Sequence, residues 1–145
     1  MKIWLDMDGT IADLYNQKNW LIHIKASSIK PFEDAKIMIN EEAIKLLEEL
    51  SATHSINIIS WTPKKATKSY EYKVKVAKIL WLKKNLPRVN FDRIEIRSYG
   101  TNKDLYRLLE TDILFDDEIN NRIKWRGRAY EESKILEVLK EIKGI

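Results

Sequence analysis

Cysteine is absent from the 145-residue chain, which excludes disulfides, thiolate metal sites and cysteine nucleophiles. Histidine occurs only twice. His23 and His54 have no partner at metal-ligand spacing and read as surface or boundary residues, not catalytic ones. Four glycines and three prolines leave no room for a flexible linker or a low-complexity tract, and no internal repeat is present. No apolar run approaches the roughly 18 residues that a bilayer span requires, and the N-terminus carries no signal-peptide pattern. These absences lead us to expect a cytoplasmic protein with no membrane partner.

What is present describes a globular domain. The chain is 44% hydrophobic and 33% charged, which argues against disorder, and its length suits one domain, 1–145, with a substantial core. The net charge of +4 is unevenly spread. Between residues 64 and 88 nine Lys or Arg stand against one acid, Glu71, so this segment carries +8 and the remainder −4. A local basic excess bears on partners more than the overall balance does.

The chain is organised around its first ten residues. Ile3, Trp4 and Leu5 form an apolar run that reads as a buried strand, stopped abruptly by Asp6. Asp8, Gly9 and Thr10 follow. Carboxylates at i and i+2 of an extended segment point the same way. At the end of a buried strand both enter one crevice, where their repulsion calls for a cation or a shared proton. Gly9 permits a tight turn and close approach of a ligand to the backbone. An ordinary strand ending in an Asp-Gly turn would show the same residues, so the rest of the chain must decide.

Helical spacing of Trp20, Leu21 and Ile24 predicts a short helix over 17–26, and a second helical piece is expected from Phe32 to Met38. Asn40 is a plausible cap for a helix with Ile44, Leu47 and Leu50 on its buried face. Strand 56–59 ends in Ser60, Trp61, Thr62 and Pro63. A long helix over 66–86 places Tyr70, Val74, Ala77 and Trp81 inward and lysines on its other faces. A strand around Ile94 and Ile96 precedes a predicted helix carrying Leu105, Leu108 and Leu109. Ile113, Leu114 and Phe115 form another buried strand, which ends in Asp116, Asp117 and Glu118. A helix through Ile123, a short strand at 128–130 and a last helix over 135–142 complete the chain. Continuous apolar strands alternating with helices imply an α/β fold with a parallel sheet covered on both faces. Ligands of such sheets bind beyond the carboxyl ends of the strands, where three of these strands terminate in polar residues.

In their order along the chain, Asp6-Met7-Asp8-Gly9-Thr10, Ser60, Lys103 and Asp116-Asp117 resemble the four motifs of the haloacid dehalogenase-like (HAD) superfamily of phosphohydrolases. The resemblance spans essentially the whole chain. The first and fourth motifs are specific, while a lone Ser and a lone Lys add weight only in combination. It implies a three-layer, Rossmann-like fold and a Mg²⁺-dependent phosphomonoester hydrolase. Asp6 is then the nucleophile that forms an aspartyl-phosphate, and Asp8 protonates the leaving oxygen and later activates water. The resemblance assigns Mg²⁺ to Asp6, the backbone carbonyl of Asp8, and the fourth-motif acids. Asp117 is the favoured direct ligand, with Asp116 direct or through water. Ser60 and Lys103 bind the phosphate and offset its charge, and Gly9 leaves room for backbone contacts to it.

Members of this superfamily differ mainly in the cap inserted near the site. Here only about 25 residues, near 15–38, are left for one, enough for two short helices but no independent cap domain. An open site admits a phosphorylated small molecule, with nucleotides the first expectation. Trp61 would stack on a base, and Lys64 and Lys65 would hold further phosphates. The alternative is a nucleic-acid-binding module or polynucleotide-end phosphatase that uses the Lys-rich helix 64–88. A receiver-like domain that keeps its phosphoryl group is a third reading, disfavoured by Asp8.

Overall fold

The computed structural model describes residues 1–145. At its centre is β1 (Lys2–Leu5), whose Ile3, Trp4 and Leu5 have no solvent exposure. Four further strands join it: β4 (Ser55–Trp61), β5 (Phe91–Arg97), β6 (Ile113–Phe115) and β7 (Arg128–Tyr130). Their order is β5-β4-β1-β6-β7, and every pairing is parallel. β1 is therefore flanked by β4 and β6, the two strands whose polar C-terminal ends the sequence singles out. The crevice lies at the switch point of the strand order, the usual ligand site of an open α/β sheet.

Alternation along β1 sends side chains to two unequal layers. Ile3 and Leu5 enter a cluster of 22 buried residues that includes Leu47 and Leu50 of α3 (Glu41–Leu50) and Val138 and Leu139 of α6 (Ile135–Lys143). Trp4 faces the other way, into a cluster of four with Ile59, Leu114 and Trp125. This thinner face is covered by α5 (Ile119–Lys124) and a 3₁₀ turn at Lys103–Tyr106.

Two expected elements differ from the structure. The helix expected through Leu105, Leu108 and Leu109 is only that 3₁₀ turn, and the three leucines are exposed. Asp112 explains the truncation: its Oδ2 accepts the backbone N–H groups of Leu108 and Leu109 at 2.9 and 3.0 Å. A buried carboxylate thus takes the amides that a continuing helix would bond to its own carbonyls. The piece expected over 32–38 divides into α2 (Lys30–Asp34), with Pro31 in its first turn where a proline is tolerated, and β3 (Lys36–Ile37). β3 pairs antiparallel with β2 (Ala12–Asp13), closing the base of the insert with a two-stranded ribbon.

Between those strands, α1 (Trp20–Lys25) has no buried residue and is bracketed by left-handed Asn19 and Ser27, at φ 60 and 58°. The insert packs on α4 (Lys68–Asn85) through Leu14, Phe32, Tyr70, Val74 and Ala77. No helix is long and apolar enough to cross a membrane.

Candidate active site

Asp6 leaves the end of β1 with its backbone N–H on the Phe115 carbonyl of β6, 2.9 Å away. The sheet itself thus sets it beside Asp116, the first residue after β6. Carboxylate oxygens of Asp6, Asp116 and Asp117 all lie within 4.8 Å of one another. Thr10 joins the group, its hydroxyl 3.3 Å from Asp6 Oδ2 and 3.2 Å from Asp117 Oδ1. Gly9 has φ +77°, and a Cβ there would stand 2.5 Å from Asp117 Oδ2 and 2.8 Å from the Tyr15 ring. Its smallness therefore lets the Asp6–Thr10 loop close onto Asp117.

Two buried lysines offset part of this negative charge. Lys103 Nζ is 2.6 Å from Asp116 Oδ2 and 3.1 Å from Asp6 Oδ1, and it lies over the Trp61 ring, 5.2 Å from the centroid. Burial alone would push its ammonium down, but Asp6 and Asp116 outweigh burial and hold it above the usual lysine value. Lys78, on the inward side of α4, is only 1% exposed. Its Nζ reaches Asp8 Oδ2, Ser60 Oγ and the Trp61 carbonyl, each at 2.8 Å. We expected α4 to turn its lysines outward, and Lys78 is the exception. Its phase was the available signal: it stands four residues after buried Val74 and three before buried Trp81.

Charge is strained here. Burial is the main force raising the Asp116, Asp117 and Asp8 carboxyls, and the nearby Asp6 charge adds to it in each case. For Asp8 and Asp116 the neighbouring ammonium pulls in the opposite direction. Burial and the surrounding acids also push the Tyr15 hydroxyl up, so it stays protonated. Four carboxylates face two ammonium groups, a deficit of two positive charges that one divalent cation would fill. The donor set is all oxygen, without thiol or imidazole, which suits a hard ion such as Mg²⁺. Asp116 is already engaged at both oxygens, by Glu118 N–H on Oδ1 and by Lys103 and Asn121 on Oδ2. Asp117 is the less committed acid.

A cavity of about 580 Å³ opens from this cluster. Asp6, Asp8, Lys103 and Asp117 line it together with Trp61, Lys64 and Lys65, so seven sequence-predicted residues share one space. Ser60 and Asp116 have no exposure and stand outside its lining. Its walls are partly aromatic: Tyr15 and Trp20 from the insert meet edge to face at 4.9 Å, and Trp61 meets Tyr99 at 5.0 Å. Trp61 is held further by its Nε1 donating to the Thr101 carbonyl. Tyr15, Trp20 and Tyr99 were not singled out as site residues: the spacing of Trp20 marks only a helix, and Tyr15 and Tyr99 carry no spacing signal.

No family model and no curated protein matches the sequence. Among solved structures, the chain is similar to a haloacid dehalogenase-like family hydrolase from Streptococcus pneumoniae, with 17% identity and a TM-score of 0.52. The alignment covers 96% of this chain and 90% of that one.

Proposed function

We propose, from the premise that the chain has the fold of the haloacid dehalogenase-like hydrolases, that it is a Mg²⁺-dependent phosphomonoester hydrolase acting through an aspartyl-phosphate on Asp6. The observation that carries this reading is the convergence of Asp6, Asp8, Asp117 and Lys103 on one cavity. We read 1–145 as one catalytic domain, with segment 15–38 as a small cap over the site.

The roles we propose are those that the motif resemblance assigns to these residues. Asp6 attacks phosphorus while Asp8 protonates the departing ester oxygen, and Asp8 then removes a proton from the water that hydrolyses the acyl phosphate. Lys103 offsets the charge gathered on Asp6 and the phosphate. Ser60, whose oxygen accepts from Lys78, is enclosed outside the cavity lining, so no direct phosphate contact is assigned to it. Asp6, Asp117 and the Asp8 carbonyl would hold Mg²⁺, with Asp116 bound directly or through water. Bound there, the ion neutralises the phosphate and so admits an anionic nucleophile.

For the substrate we propose a nucleotide. Aromatic walls suit a planar base, and Lys64 and Lys65 stand at the same cavity for additional phosphate charge. A polynucleotide end is the second reading, favoured by the outward-facing Lys68, Lys73, Lys75, Lys83 and Lys84 of α4.

The test is phosphate release from nucleotides, a 3′-phosphorylated oligonucleotide and p-nitrophenyl phosphate, with Mg²⁺ or with EDTA. Turnover should require Mg²⁺ and disappear in Asp6→Asn. The faster of mononucleotide and oligonucleotide decides between the two substrates. No turnover by folded protein that still binds Mg²⁺ would sink the hydrolase reading.

A further inference from the structure

Lys78 has no place in the four motifs, yet it is the most deeply enclosed cation of the molecule. An ammonium has three protons to donate, and here all three have acceptors: Asp8 Oδ2, Ser60 Oγ and the Trp61 carbonyl, each 2.8 Å away. Lys103 lines the cavity and Lys78 does not. Lys78 therefore has neither the access nor a spare proton to bind the phosphate. What it touches is the acid–base residue and the end of β4.

The location is a junction of three parts of the chain. Asp8 belongs to the loop after β1, Ser60 and Trp61 to the end of β4, and Lys78 itself to α4. The Phe32 ring of the insert closes over the ammonium, with its centroid 5.2 Å from Nζ. Enclosing a charge this completely costs stability unless the pairing is tight, and an apolar side chain of similar size would often serve packing equally well. A buried lysine that meets Asp8 by one oxygen thus suggests selection for where that carboxyl points.

We propose that Lys78 is a positioning residue for the proton transfers of Asp8. It ties down Oδ2, while Oδ1, which takes no hydrogen bond from the protein, is left as the oxygen that faces the ester. This rests on the phosphomonoesterase reading above. In the first step the Asp6 carboxylate forms a bond to phosphorus as the ester P–O bond breaks, and the proton on Asp8 Oδ1 passes to the leaving oxygen. In the second, Oδ1 takes a proton from water as the water oxygen bonds to phosphorus. The Asp6–phosphorus bond then breaks, releasing orthophosphate and restoring the Asp6 carboxylate.

Leaving groups separate this role from a structural one. An alkoxide leaving from a nucleoside 5′-monophosphate needs the proton, whereas p-nitrophenolate leaves without it. First-turnover rates are measured for both substrates on one preparation of Lys78→Met, so their ratio does not depend on the folded fraction. The nucleotide rate should fall by about 10²-fold or more and the aryl rate far less, so that the ratio drops at least about tenfold. Asp8→Asn sets the full size of that drop. Lys78→Arg, which keeps a donor to Asp8, should recover much of the ratio and is the fallback if the Met variant does not fold. Equal loss on both substrates, or no loss, overturns the positioning role. Absence of turnover in the wild-type protein overturns the hydrolase reading and this inference with it, an outcome distinct from wild-type turnover with an unchanged ratio.

Discussion

Gly9 illustrates how much one missing side chain can matter. Its φ of +77° is a conformation that L side chains rarely adopt, and a Cβ would run into Asp117 Oδ2 at 2.5 Å. The alternatives open to Gly9→Ala are a strained loop or a displaced Asp117. Strain of this kind costs roughly 1–3 kcal/mol. The variant should melt several degrees lower and bind Mg²⁺ more weakly, both measurable by thermal unfolding with and without the ion. Unchanged Mg²⁺ affinity would show that Asp117 is not held by this contact. Residues of this kind were legible in the sequence because Asp6 and Asp8 sit at i and i+2 after an apolar run, a pattern that fixes direction. Lys78 was hidden for the opposite reason. Among nine cations of one segment, composition cannot distinguish the one that turns inward, and only its phase on α4 does so.

Elements were legible where a period persisted. α3, α4 and α6 each repeat apolar residues over several turns, and each is present. β2 and β3 have two residues apiece, too few for any alternation to show. The segment 102–112 misled because leucines at 105, 108 and 109 have helical spacing, whereas the deciding interactions involve Asp112 and no periodicity records them. The consequence is testable. Leu105 is 76% exposed, so Leu105→Ser should change stability by no more than about 0.5 kcal/mol. A buried helical leucine at that position would lose roughly 2–5 kcal/mol on truncation. Urea denaturation separates the two. By contrast, Asn40 caps α3 with its Oδ1 accepting Ala43 N–H at 2.8 Å. Asn40→Ala should cost about 1 kcal/mol in the same assay.

At the scale of the molecule, the strand order is what the sequence leaves out. That polar strand ends meet in one crevice depends on β4 and β6 flanking β1, a nonlocal fact without a local signature. The thin face of the sheet, with few apolar contacts, is instead fastened by charge. Asp104 Oδ1 accepts from Arg107 Nε at 2.7 Å and from Arg126 N–H at 2.8 Å, and Oδ2 accepts from Arg126 Nε at 2.7 Å. These bonds join the 3₁₀ turn that carries Lys103 to the loop before β7. Burial by itself would push the Asp104 carboxyl up, but the hydrogen bonds from Arg107 and Arg126 outweigh it and hold the carboxyl at about 2, below its ordinary 3.8. A group depressed in the folded state stabilises it above the unfolded value and loses that contribution as pH falls through the folded one. The shift corresponds to at most about 2–3 kcal/mol, reduced by salt because the Arg126 side chain is 77% exposed. Asp104→Asn should therefore be less stable than wild type at pH 7, with the gap narrowing from about pH 4 downward. Urea midpoints of both proteins at pH 7, 4 and 3 measure that gap. If it were the same at pH 3 as at pH 7, the carboxylate charge would not be what fastens this face.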